Sequence, residues 1–230
     1  MRVLRIAFFA AFFVCFTGVL SATSADAQII RKILTRMDQH NKSLTSLRAD
    51  VTMVKHNPQL NVSDTSIGAT SYLPASGKRG RYVRIDWTKP VEEQISVIGD
   101  NYELYRPRLN QVIVGAVGKA KNNASVGGAL SFMNMNKAQL EANYDVVYLG
   151  EEQISGGVPT WHLRLTPTTA TSYKTAELWV DADGMPRQAK IVEQNNDTTT
   201  VLLSNLQKNI TLRGDIFKLN YPKSVKKIKA

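Results

Sequence analysis

Lys78-Arg79-Gly80-Arg81-Tyr82-Val83-Arg84-Ile85-Asp86-Trp87-Thr88-Lys89-Pro90 is the stretch whose reading decides the fold. Val83, Ile85 and Trp87 alternate with polar neighbours. That period of two is the signature of a half-buried β-strand. The same period recurs outward in both directions. Upstream lie Val51 and Met53. Downstream lie Ile95 with Val97, Val112 with Val114, and Tyr144, Val146 and Tyr148. Trp161, Leu163 and Leu165 follow, then Leu178 with Val180, and finally Phe217, Leu219 and Tyr221. Turn signals separate these runs: Asn57-Pro58, Ser76-Gly77, Gly99-Asp100-Asn101, Gly156-Gly157 and Asp183-Gly184. Short strands joined by tight turns predict one large antiparallel sheet. A sheet of that many strands curls rather than staying flat.

Two stretches carry a different period. Ile29, Ile30, Ile33, Leu34, Met37, Leu44 and Leu47 recur at helical spacing, which predicts an amphipathic helix over 28–44. Its apolar stripe must be covered by something. Ser125 to Leu140, with Leu130, Met133 and Leu140, reads as a second, methionine-bearing helix after a glycine-rich run. The fold class is therefore mainly β with helices, an α+β chain. One curved antiparallel sheet carries both helices on its concave side. No internal repeat or composition shift divides residues 28–230, so they are read as one domain.

The beginning of the chain reads as a targeting segment. Arg2 and Arg5 precede an apolar run from Ile6 to Leu20, and Ala25-Asp26-Ala27 supplies an A-x-A cleavage site. That is the layout of a secretory signal peptide, residues 1–27. The run is shorter than the ~20 apolar residues a transmembrane helix needs. Cys15 is the only cysteine and lies within it, so the exported chain would have neither a disulfide nor thiolate chemistry. The net charge is +10 over the whole chain. That charge favours anionic partners such as phospholipid headgroups or acidic proteins, and export argues against nucleic acid. The basic residues are scattered apart from Lys78 to Arg84 and the tail Lys223 to Lys229.

Nothing in the sequence builds a reaction centre. His40, His56 and His162 have no cysteine or carboxylate at metal-ligand spacing, and are read as surface or satisfied polar residues. There is no G-x-S-x-G elbow. Gly115-Ala-Val-Gly118-Lys119 has the wrong spacing for a phosphate loop. Asp181-Ala-Asp183-Gly184 lacks the later ligands of a calcium loop and reads as a hairpin turn. Glu92-Glu93 and Glu151-Glu152 point to opposite faces if they lie on strands. No catalytic residue, no metal and no cofactor is expected, and the chain is read as a non-enzyme.

A curved sheet under helices is either filled or hollow, and the residues leave both open. The concave candidates mix aromatic, branched and methionine side chains of uneven size. Methionine suits a surface that repacks around variable apolar guests, and aromatic-lined apolar pockets are the usual form of a ligand site.

Two ordered segments resemble the outer-membrane lipoprotein carrier family, the LolA-like periplasmic chaperones. The first is Lys78 to Pro90 followed by Gln94-Ile-Ser-Val-Ile-Gly99-Asp100-Asn-Tyr102-Glu-Leu104-Tyr105-Arg-Pro107 and Gln111-Val112. The second comprises Leu165-Thr166-Pro167, Leu178 to Gly184, Ile191-Val-Glu193-Gln194 and Phe217 to Val225. The resemblance implies an incomplete antiparallel barrel of about eleven strands with a helical lid on its concave side. It implies a hydrophobic cavity for the acyl chains of lipoproteins. It also implies a shuttle between an inner-membrane lipoprotein-releasing transporter and an outer-membrane receptor. On that reading the chain is a periplasmic monomer. Its cavity lining would come from Val83, Ile85, Trp87, Leu104, Leu130, Met133, Tyr144, Val146, Leu163 and Leu178. Arg79 matches the family's lid-latching arginine. Where the family keeps the partner histidine, this chain has Arg187, and two arginines do not make that latch. Trp87 lies two places after the usual tryptophan, whose position Ile85 takes. Related roles for the same fold are transfer of free lipid and the sensing of envelope stress.

Overall fold

The computed structural model describes residues 22–116 and 135–229. Helix α1 (Ala22–Ser43) opens the chain. Six strands follow in sequence: β1 (Leu47–Asn57), β2 (Val62–Leu73), β3 (Tyr82–Lys89), β4 (Glu93–Ile98), β5 (Asn101–Arg106) and β6 (Gln111–Ala116). A short helix α2 (Lys137–Asn143) precedes β7 (Tyr144–Ile154), β8 (Val158–Pro167), β9 (Tyr173–Val180), β10 (Pro186–Glu193) and β11 (Thr198–Lys208). The chain ends with β12 (Lys226–Lys229).

All twelve strands form one sheet in the order β12-β6-β5-β4-β3-β2-β1-β11-β10-β9-β8-β7. Two antiparallel meanders, β1 to β6 and β7 to β11, are therefore joined where β1 pairs with β11. Strands β12 and β7 are the two ends of the order, and the sheet is not closed. Strands β1 to β11 are the eleven antiparallel strands expected, and among the described residues a twelfth is added that differs in kind. It runs parallel to β6, with Lys226 opposite Gln111 and Lys229 opposite Val114.

The pairing register sets one face throughout. Directly opposed residues share a face. From β8 this face runs Leu163–Leu178–Ala189–Val201–Met53. From β2 it runs Thr70–Ile85–Ile95–Leu104–Ile113. Ile85 and Trp87 of β3 belong to the same apolar cluster as Leu163 of β8, although those strands are far apart in the order. The sheet must curl to bring them together, so this face is the concave one.

Helix α1 covers it. Ile33, Leu34 and Met37 are fully buried in that cluster. Burying each contributes about 1.5–3 kcal/mol. The helix begins at Ala22, before the expected Gln28, and among the described side chains its buried ones all lie after Ala27. Leu47, counted with the helical stripe, instead opens β1. The second helix starts at Lys137, and residues 125–134 of the stretch expected to form it lie outside the described residues. Its capping box, in which Asn136 and Gln139 bond each other's backbone N–H, fixes that start.

The convex face carries a second, smaller core. The run Phe217, Leu219 and Tyr221 has the period of a strand but is not one. A 3₁₀ turn over Gly214–Phe217 instead places Phe217, fully buried, against β3 and β4. Its ring meets Tyr82 edge-on at 5.5 Å. Ser96 Oγ donates to the Phe217 carbonyl, and Arg84 Nη1 donates to the Ile216 carbonyl at 2.7 Å. Tyr221 packs on Tyr105 at 5.6 Å. The C-terminal segment thus straps the outside of the first meander before returning as β12. Removing the ring in Phe217→Ala is expected to cost about 3–5 kcal/mol. Chemical denaturation checks this, with a shift in midpoint and little change in slope.

Candidate functional site

The concave face is the candidate site. Of the ten lining residues expected, eight are described, and the register puts all eight on this face. Ile85, Trp87, Tyr144, Leu163 and Leu178 are buried members of the cluster, with Val83 and Val146 half-buried against it. Leu104 is 2 % exposed and sits opposite Ile95. Leu130 and Met133 lie outside the described residues.

The stripe of α1 occupies the part of this face contributed by β1, β3 and the second meander. The sequence reading puts this helix on the concave side, and its stripe packs there. Among the polar groups on this surface, the Tyr144 and Tyr173 hydroxyls lie 2.7 Å apart. Burial, and then the bond to Tyr144, push the Tyr173 phenol well above its ordinary range.

Arg79 and Arg187, the two latch candidates, each hold partners of their own. Arg79 Nη2 donates to the Pro74 carbonyl at 2.8 Å and its guanidinium lies 5.6 Å over the Tyr82 ring. Arg187 is held in its own hairpin, 3.4 Å from Asp181 Oδ2. Each is engaged where it stands, and the bond between turn and helix comes from a residue that sequence reasoning missed. Arg36 Nη1 donates to the Ala182 carbonyl at 2.7 Å, with its guanidinium 5.1 Å over Trp161. This contact needs Gly184. The residue has a φ of +83°, and a Cβ there would lie 2.4 Å from the Arg36 carbonyl carbon and oxygen. The Asp-Gly signal was legible as a turn; its second use, letting helix backbone approach, was not.

His40 lies beside the same turn. It is 6 % exposed and its Nε2 has no hydrogen-bond partner among the described residues. That corrects its reading as a surface or satisfied residue. His56 and His162 do have partners: Ser63 for the first, and Glu152 and Glu177 for the second. Burial, and then the Lys208 ammonium, lower the His40 pKa from its ordinary 6.5, against the opposing pull of Asp181 and Asp183. Lys208 also binds Asp183 at 3.0 Å and holds that carboxyl below its usual range.

Residues 76–220 match the family model of the outer membrane lipoprotein carrier protein LolA. The chain belongs to this carrier family. It is 24 % identical over 191 residues to the outer-membrane lipoprotein carrier protein of Methylococcus capsulatus, covering 83 % of this chain and 84 % of that one. The carrier protein of Xanthomonas oryzae pv. oryzae is 29 % identical over 140 residues, 60 % of this chain and 62 % of that protein's length. Among solved structures, MucB superposes with a TM-score of 0.57 at 15 % identity, over 84 % of this chain and 63 % of that one. An uncharacterized conserved protein from Thermus thermophilus also gives 0.57 at 15 % identity, over 88 % of this chain and all of that one. These structures share the fold.

Two outcomes test the helix docking. Gly184→Ala should push α1 off the turn, so limited proteolysis should cut within 22–43 while the strands resist. Unchanged resistance of α1 would contradict the close approach. The lowered His40 pKa also has a defined sign. Above about pH 6.5 His40 is neutral in both states. As pH falls through that value the unfolded chain gains a proton that the folded chain resists, so stability falls. Denaturation midpoints at pH 7.5 and 5.5 should differ, and His40→Leu should narrow the difference.

Proposed function

We propose that this chain is a periplasmic, monomeric carrier that holds lipoprotein acyl chains against the concave face. On this reading it takes them from an inner-membrane lipoprotein-releasing transporter and gives them to an outer-membrane receptor. It would be exported by a signal peptide cleaved near Ala27 and would act by binding, without catalysis. The reading rests on one observation above all: a family match lying over an apolar concave face into which the stripe of the amphipathic helix α1 is packed.

The physics agrees with that role. Each CH₂ removed from water is worth ~0.8 kcal/mol, so an acylated protein needs a sleeve to cross an aqueous space. The α1 stripe stands in for the guest. Ile33, Leu34 and Met37 make the apolar contacts an acyl chain would make. Loading then exchanges one apolar occupant for another, which keeps both uptake and release within a modest free-energy range. Leu130 and Met133 would complete the lining, and Arg36 rather than an arginine–histidine pair would latch α1.

A fluorescent fatty acid tests the face assignment. Val83→Asn and Val146→Asn, both at half-buried positions, should weaken its binding at least about tenfold while the circular dichroism spectrum is retained. Unchanged affinity would place the guest elsewhere. Native mass spectrometry of protein taken from the periplasm tests the cargo. Acylated polypeptide is the expected companion; free lipid alone would favour a lipid-transfer role.

A further inference from the structure

We propose that the β6–β12 end of the sheet is a docking surface for an anionic phospholipid bilayer. The proposal goes beyond the carrier reading, because it concerns where the protein rests and not what it holds. Two segments with no carboxylate, residues 104–116 and 216–229, meet there. Arg106 is neutralised by Glu93 at 2.9 Å. Arg108, Lys223, Lys226, Lys227 and Lys229 are exposed, and none of them has an acidic neighbour in its own segment.

The patch is built rather than frayed. Lys226 N–H donates to the Asn110 carbonyl at 2.9 Å, and Asn110 Nδ2 donates to the Ser224 carbonyl at 3.2 Å. These bonds fasten the Arg108–Leu109 turn beside Lys223. The Lys227 ammonium lies 5.5 Å over the Tyr221 ring. Lys226 and Lys227 fall on opposite faces of the edge strand, so the cations surround the edge. The carboxylate of Glu103 is engaged by the Tyr221 hydroxyl at 3.4 Å.

The kind of charge selects the partner. Four lysines to one arginine, on long flexible stems, suit a diffuse field of headgroups better than a fixed fork of carboxylates. Leu109, 63 % exposed at the tip of the turn, adds a side chain that can enter the headgroup boundary. Lysines also guard edge strands against pairing, and the test separates that role from docking.

Vesicle flotation with the exported chain, residues 28–230, provides the test, using phosphatidylcholine alone or with about one third phosphatidylglycerol. Anionic vesicles should bind it, neutral ones much less, and added salt should release it. Each basic residue near such a surface strengthens binding roughly fivefold, so Lys223→Gln, Lys226→Gln and Lys227→Gln together should weaken it on the order of a hundredfold. Lys55→Gln, Lys78→Gln and Lys174→Gln, with the same net charge, should change it little. Equal loss in both triple variants would reduce the effect to net charge and overturn the proposal. So would unchanged binding in the first variant. Dimers formed by the first variant with no loss of vesicle binding would assign the lysines to edge protection. Capture by a polyglutamate peptide without vesicle binding would assign them to an acidic protein. Fatty-acid affinity should be equal in all variants, which keeps this test separate from the carrier reading.

Discussion

The packing of Ile33, Leu34 and Met37 into the concave face is the interaction on which the rest depends. Without it, an open, curled sheet would present a broad apolar surface to water, which soluble proteins rarely tolerate. The helix reaches that depth because one turn lets it. Gly184 removes the Cβ that would strike the Arg36 carbonyl, and Arg36 closes the contact from the other side. The cover of the site is thus fastened to the sheet at the β9–β10 turn.

The sheet is arranged to serve that face asymmetrically. The second meander and β1 supply most of the buried cluster beneath α1. The first meander is braced from behind by the C-terminal segment, through Phe217, Arg84 and Tyr221. The first meander is therefore packed on its inner side, where Ile85, Trp87 and Leu104 are buried, and is held from outside as well.

Much of this was legible because strand and helix periods differ. Val83, Ile85 and Trp87 announced a strand face, and the stripe of α1 announced a helix that needed cover. The misses share a cause: local pattern does not report tertiary context. Phe217, Leu219 and Tyr221 imitate a strand, yet Phe217 is drawn out of line by its pocket against Tyr82. Thr198-Thr199-Thr200 is too polar to read as interior, yet Thr199 is 2 % exposed in β11. The lysines of β12 hide a strand whose partner, β6, lies more than a hundred residues earlier. His40 and Arg36 act through a turn brought to them by the joining of β1 to β11, which no local signal encodes.

The central claim is that α1 occupies the place an acyl chain would take. Hydrogen exchange of the α1 amides, with and without a bound palmitoylated peptide, tests it most directly. The account predicts that loading lowers protection across 29–37 while the concave strands keep or gain theirs. Full protection of α1 in the loaded protein would contradict it.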